Sequence, residues 1–153
     1  QLDLQKISPL EFFDKVVGFF NQGQQNKISI TSDLKSDASW DLDLTKMIIC
    51  VKNIIQNAFK YADTERGVRV LLGKVGENYT VSIVDFGPGI SQDDQKHIFD
   101  SFYRSKNVKK VSGFGLGLAI SKKIIEAHKG KISLDSQAGK GSTFLIVLPK
   151  EGR

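Results

Sequence analysis

Residues 44 to 61, LTKMIICVKNIIQNAFKY, constrain the fold more than any other segment. Met47, Ile48, Val51, Ile54, Ile55, Ala58 and Phe59 recur at three- and four-residue intervals, so a helix here carries one continuous apolar stripe. A stripe that broad needs a second layer to cover it. The following segments supply one: residues 68 to 75 and 79 to 84 read as strands, joined as a hairpin at Gly76-Glu77-Asn78.

Upstream, Leu10, Phe13, Val16, Val17 and Phe20 predict a helix over 9 to 22, with Pro9 in its first turn and Ser8 as its cap. Residues 28 to 31 suit a short strand and 32 to 39 a polar loop. A short helix is expected from Ser91, with Asp94 in a capping interaction, and another over 118 to 128 with Ile120, Ile124 and Ile125 inward. Residues 131 to 135 and 143 to 148 complete the pattern as strands around a turn at Gly139-Lys140-Gly141. This order is not the regular strand–helix alternation of a doubly wound sheet. It predicts an α/β (α+β) two-layer sandwich, with a mixed, largely antiparallel sheet and helices packed on one face.

Length and composition narrow the function classes. At 153 residues the chain is read as a single domain, residues 1–153, and 40% hydrophobic against 25% charged residues suits an ordinary folded core. No signal peptide and no membrane-length apolar run is present, and the chain starts at Gln1. The expectation is a piece of a longer protein in a cytoplasmic setting, its parent free to be anchored in an inner membrane. Cys50 is the only cysteine, which rules out an internal disulfide and a cysteine zinc cluster, and its apolar surroundings mark it as a core residue. The net charge of +5 is modest and spread out, so no nucleic-acid face is expected. The two histidines read as structural or surface residues; His128, at a helix C-terminus, stands where a cation is favoured.

Three constellations can carry chemistry. Asn53, Asn57 and Lys60 share one face of the long helix, away from much of the apolar stripe. Asparagine is a mediocre helix former, so two on one face beside a lysine call for a reason. Amide oxygens are hard ligands suited to magnesium beside phosphates, and a lysine ammonium offsets phosphate charge. Without that role, the face would be simply solvated. Second, Asp85-Phe86-Gly87-Pro88-Gly89-Ile90 follows a strand. Its glycines allow close approach to a flat ligand, and its carboxylate can accept from the adenine amino group, where guanine would offer a carbonyl. An ordinary turn is the plain alternative. Third, Gly113-Phe114-Gly115-Leu116-Gly117-Leu118 runs into a helix whose N-terminal NH groups favour phosphate. It matches neither the dinucleotide pattern nor a P-loop.

In this order the segments resemble the nucleotide-binding domain of histidine kinases, within the superfamily shared with gyrase, Hsp90 and mismatch-repair ATPases. The resemblance covers residues 43 to 148: NIIQNAFKY (53–61) is similar to the asparagine box, DFGPGI (85–90) and GFGLGLAI (113–120) to two glycine boxes, IFDSFYR (98–104) to the phenylalanine box, and GKGSTF (139–144) to the last motif. It implies a Bergerat-type ATP-binding fold with ATP and Mg2+ as cofactors. Asn57, assisted by Asn53, would hold the magnesium; Lys60 would contact phosphate and Tyr61 pack beside adenine. Asp85 would take the adenine amino group, with Gly87 and Gly89 giving clearance and Ile90 in the same box. Phe99 and Phe102 would anchor a lid and Arg104 would meet phosphate. Gly113, Gly115, Leu116, Gly117 and Leu118 would line the triphosphate, and Thr143 could reach adenine.

The resemblance also implies a division of labour. The gyrase and Hsp90 branches place a glutamate where Asn53 stands, and an amide cannot activate water as a base does, which favours transfer over hydrolysis. Lys129 follows His128 where the family more often has glycine, and Phe114 stands where Thr or Ser is common. The family's phosphate-accepting histidine lies on a separate helical dimerisation domain, and neither His97 nor His128 has that context. The implied function is donation of the γ-phosphate to that histidine, and onward to a response-regulator receiver domain. The isolated domain would be monomeric, unable to phosphorylate itself, and its parent a homodimer. Two other classes fit the same residues: a non-catalytic ATP-sensing or interaction module, and a serine kinase of the anti-sigma-factor type.

Overall fold

The computed structural model describes residues 1–61, 65–101 and 117–150. Its elements run β1 (Leu4–Ile7), α1 (Pro9–Val17), α2 (Gln22–Gln25), β2 (Ile28–Ser32), β3 (Trp40–Asp43), α3 (Leu44–Tyr61), β4 (Val68–Val75), β5 (Asn78–Asp85), α4 (Gln92–Gln95), α5 (Gly117–Ala127), β6 (Lys131–Gln137) and β7 (Gly141–Pro149). The main sheet has the order β2-β4-β5-β7-β6; β2 and β4 are parallel and the remaining neighbours antiparallel. This is the mixed, largely antiparallel sheet expected.

Strand alternation decides which face the helices cover. Val68, Val70 and Leu72 of β4, Tyr79, Val81 and Ile83 of β5, and Phe144, Ile146 and Leu148 of β7 are all buried, whereas the intervening Leu71 is exposed. Met47, Cys50, Val51, Ile54, Ile55 and Ala58 of α3 join those strand residues in one core, with Phe12, Phe13 and Val16 of α1 and Ile125 of α5. Burying a large apolar side chain contributes about 1.5–3 kcal/mol, so Met47, Val51, Ile54 and Ile55 together supply on the order of 10 kcal/mol as an upper figure.

Several expectations need correction. The helix predicted over 9 to 22 stops at Gly18, and Asn21 starts α2 with a reciprocal capping box to Gln24. Phe20 is buried even so, but the inward phase of α1 runs through Phe12, and Leu10 is half exposed. β1 and β3 were not expected; they pair antiparallel as a separate two-stranded sheet. Ile120 faces outward, leaving Ile125 as the fully buried isoleucine of α5. His128, read as a structural or surface residue, is the structural kind, a buried bridge. Its Nε2 accepts the Asp43 N–H at 3.0 Å and its Nδ1 meets the Ile124 carbonyl at 2.8 Å. Among the described residues no helix is long and apolar enough to cross a membrane.

Candidate functional site

Asn53, Asn57, Lys60 and Tyr61 all lie on α3, as their spacing requires. The two asparagines are half-buried, so this face is not simply solvated, while Lys60 and Tyr61 reach the exposed end of the helix. Gly117 opens α5 directly against this face. A Cβ at Gly117 would stand 3.7 Å from Cβ and Cγ of Asn53, so the backbone of the first turn of α5 rests on that side chain. Leu118, the next residue, is buried. Amide-bearing helix and helix N-terminus are thereby neighbours, which places hard oxygen donors beside backbone NH groups that favour anions.

Asp85 ends β5. Tyr79, Val81 and Ile83 point into the core, so Asp85 continues the series on the helix-covered side of the sheet. Burial pushes its carboxyl above the ordinary aspartate range, and N–H groups of Gly87 and Ser142 counter this only in part. The Gly87 N–H lies 3.0 Å from Oδ1. A half-buried carboxylate bonded by backbone on one side keeps acceptor capacity for a ligand donor on the other.

The loop after Asp85 is strapped to the β6–β7 turn. Gly139 N–H donates to the Pro88 carbonyl at 2.7 Å, and Ile90 N–H donates to Ser136 Oγ at 2.7 Å. Gln95 reaches from α4 to donate to the carbonyls of Ile90 and Ser136. Gly89 has φ +77, and a side chain there would collide with the Gln137 carbonyl. Its glycine is thus required by the strap itself, a different reason from the ligand clearance expected. Gly141, at φ +90, is required in the same way by the Asp85 carbonyl.

Register settles which residue of β7 faces Asp85. Asp85 pairs with Ser142, whereas Thr143 pairs with Val84. Paired residues share a face, so Thr143 looks to the opposite side of the sheet and Ser142 stands beside Asp85. Ser142 is buried, and its hydroxyl meets Ser136 Oγ at 2.8 Å. Sequence reading missed Ser136 and Ser142; the signal was the two-residue parity of the strands combined with their pairing. Phe99 packs edge-on against Phe144, with the Lys122 ammonium 5.6 Å from its ring centre. Phe102, Arg104, Gly113, Gly115 and Leu116 lie outside the described residues.

A helix of half-buried amides, a half-buried acid at a strand end and a glycine-started helix against the amides define a nucleotide-site class of α/β sandwich. Residues 42–152 match the model of the histidine kinase-, DNA gyrase B-, and HSP90-like ATPases, and the chain belongs to that family. It is 36% identical over 133 residues to the adaptive-response sensory kinase SasA of Gloeothece citriformis, covering 84% of this chain and 33% of that protein. To the sensor protein kinase WalK of Staphylococcus aureus it is 35% identical over 155 residues, covering 99% of this chain and 37% of that protein. The nucleotide-free catalytic domain of the histidine kinase ThkA superposes with a TM-score of 0.83 at 26% identity, covering 99% of this chain and 98% of that one. The chain spans about a third of the length of the curated relatives it matches. The recognition made from the motifs, and the fold class drawn with it, both hold.

Proposed function

We propose that this domain binds Mg-ATP and donates the γ-phosphate to a histidine on a separate helical dimerisation domain of a longer sensor kinase, which passes it to a response-regulator receiver domain. The observation that carries this reading is the seating of Gly117 on Asn53, which brings anion-favouring backbone against an amide face. Asp85 would accept from the adenine amino group, flanked by Ser142. Asn57 and Asn53 fit magnesium, because neutral amide oxygens suit a hard cation whose remaining ligands are phosphate oxygens and water. Among the described residues no group of three His, Cys, Asp or Glu offers a competing all-protein site. When bound, the ion supplies neutralisation of phosphate charge. The chain itself would orient the triphosphate along the first turn of α5. Lacking a carboxylate at Asn53, it would leave water unactivated, so that positioning and charge complementarity carry the transfer.

The test is a calorimetric titration with a non-hydrolysable ATP analogue and magnesium, beside the GTP analogue. Saturable binding that prefers adenine is expected, and a folded domain that binds neither would overturn the reading. Adding the missing helical domain in trans should then yield phosphohistidine. ATP binding without transfer would leave a nucleotide-sensing module instead.

A further inference from the structure

Between α3 and α5, one turn behind the seat of Gly117 on Asn53, the two helices exchange a pair of hydrogen bonds. Ser121 Oγ donates to the Cys50 carbonyl at 3.0 Å, and Cys50 Sγ donates to the Ser121 carbonyl at 3.6 Å. Both residues are fully buried. Cys50 precedes Asn53 by three positions on α3, and Ser121 follows Gly117 by four on α5, so each lies about one helical turn from the contact. The bonds link side chain to backbone in both directions. They therefore fix how far apart the helices lie and how each is rotated, which apolar packing alone, being non-directional, leaves softer.

Burial pushes the Cys50 thiol up to about 12, against the partial lowering by Ser121. It stays protonated at neutral pH and remains a donor, with no role as nucleophile or metal ligand. A serine in the interior of a helix competes for backbone groups and is not a strong helix former. Its burial at the interface is explained by the bond it makes across it.

We infer that Cys50 and Ser121 are positioning residues for the phosphate end of the site: their reciprocal bonds set the N-terminus of α5 against Asn53. This rests on the nucleotide reading above. The pair touches no ligand. It acts by holding the NH groups of Gly117 and Leu118 and the amide of Asn53 in one frame, where displacement of a fraction of an ångström weakens contacts to a triphosphate. Adenosine, held at the Asp85 end, would not register such a shift.

The experiment compares wild type, Ser121→Ala, Cys50→Ala and the double variant. Affinities for the ATP analogue with magnesium are measured by calorimetry, and for adenosine by competition. Amide NMR shifts of Gly117 and Leu118 report the geometry directly. Ser121→Ala should weaken the ATP analogue roughly fivefold to tenfold while adenosine changes less than about twofold, the scale of one hydrogen bond. Cys50→Ala should do the same more weakly, and the double variant should show the two losses to be non-additive. Equal loss of both ligands, or unchanged binding with unmoved Gly117 and Leu118 signals, would overturn the positioning role while leaving the nucleotide reading intact. Failure of wild type to bind either ligand would overturn the nucleotide reading, and the inference with it. Should Ser121→Ala not fold, Cys50→Ala carries the same comparison; loss of folding in both would assign the pair to stability alone.

Discussion

At the β5 end of the candidate site, position is set by hydrogen bonds to and between backbones. Pro88, Ile90, Ser136 and Gly139 tie the loop after Asp85 to the β6–β7 turn, and Gly89 and Gly141 let the chains approach closely enough to do so. At the α3–α5 end, position is set by two helices packed in the core and joined by the reciprocal Cys50–Ser121 bonds, with Gly117 against Asn53 at an ordinary contact distance. The first end has little tolerance for an added atom, because backbone cannot move aside. The second has more at Gly117 itself, where an added Cβ meets only the Asn53 side chain, while the Cys50–Ser121 bonds hold the helices themselves in place. A flat, rigid base suits the first construction and a flexible phosphate chain suits the second.

The largest effect is expected from Asp85→Asn. Asparagine keeps one oxygen, which the Gly87 and Ser142 N–H groups would claim, and turns its NH2 toward the donor that adenine presents. A lost charge-assisted bond plus an unsatisfied donor corresponds to about a hundredfold or more in affinity for the ATP analogue, read by calorimetry. Stability should move the other way. The folded-state pKa of Asp85 is raised, so its contribution is favourable at acid pH and lost as pH rises through that raised value. At pH 7 the ionised form is therefore a liability. Asp85→Asn should melt at or above the wild-type temperature there and lose that advantage on acidification. A variant that binds normally would break the assignment of this end to adenine.

Next is Gly89→Ala, against Gly139→Ala as its control. Both glycines have positive φ, but nothing lies within 4 Å of a Cβ at Gly139, whereas one at Gly89 meets the Gln137 carbonyl. Gly139→Ala should cost about 1 kcal/mol, the left-handed penalty alone. Gly89→Ala should cost about 3 kcal/mol in denaturant unfolding, because the strap must open as well. Equal costs would mean that the loop yields easily and that the proposed rigidity of this end is wrong.

What the sequence made legible follows the same division. Helix α3 and the β4–β5 hairpin stood out because periodicity is local: the stripe from Met47 to Ala58 and the strand alternation need no knowledge of partners. The asparagine face and the acid at the end of β5 came with them. Ser142, Ser136 and the pairing of β1 with β3 did not, because each depends on register between distant segments. Thr143 is the residue of this segment that the resemblance offers for adenine, and its pairing with Val84 puts it on the other face from Ser142 and Asp85. The error at Leu10 is of another kind. In a nine-residue helix the apolar phase is defined by few residues, and Phe12 and Phe13 together shift it.

A carboxylate directly before α3 sharpens the contrast with Asp85. Asp43 accepts from the N–H groups of Asp3 at 3.0 Å and Lys46 at 3.1 Å, and the Lys46 ammonium stands 3.7 Å away. Burial works to raise its pKa, but these donors and the Lys46 charge prevail and the net shift is downward. Its contribution to stability is thus present above the unfolded value of about 3.9 and lost as pH falls through the lower folded value. Asp43→Ala should cost about 1–2 kcal/mol at pH 7, the scale of a helix cap, with the difference from wild type narrowing below pH ~4. Across one acid titration, then, substituting Asp43 and substituting Asp85 should give stability changes of opposite sign.

The smallest effect is expected at the far end of α5, and it tests whether that helix transmits anything to the site. Lys129 N–H donates to the Glu126 carbonyl and Gly130 N–H to the Ile125 carbonyl, both at 2.9 Å, which is the Schellman closure of a helix. The closure needs a left-handed residue at position 129, and Lys129 adopts it at φ 62 where glycine would do so without a Cβ penalty. Gly130 cannot exchange roles with it, since a side chain there would run into Val147 and Leu148. Glycine removes the strain but gains freedom in the unfolded chain, so Lys129→Gly should stabilise by only about 0.5–1 kcal/mol, a rise of roughly 1–4 °C in melting temperature. Nucleotide affinity should not change, because the backbone bonds of the closure are the same before and after. If affinity did change, strain at the C-terminus would be reaching the first turn of α5 through the helix as a rigid body, and the phosphate end would have to be counted as tightly held as the end that carries Asp85.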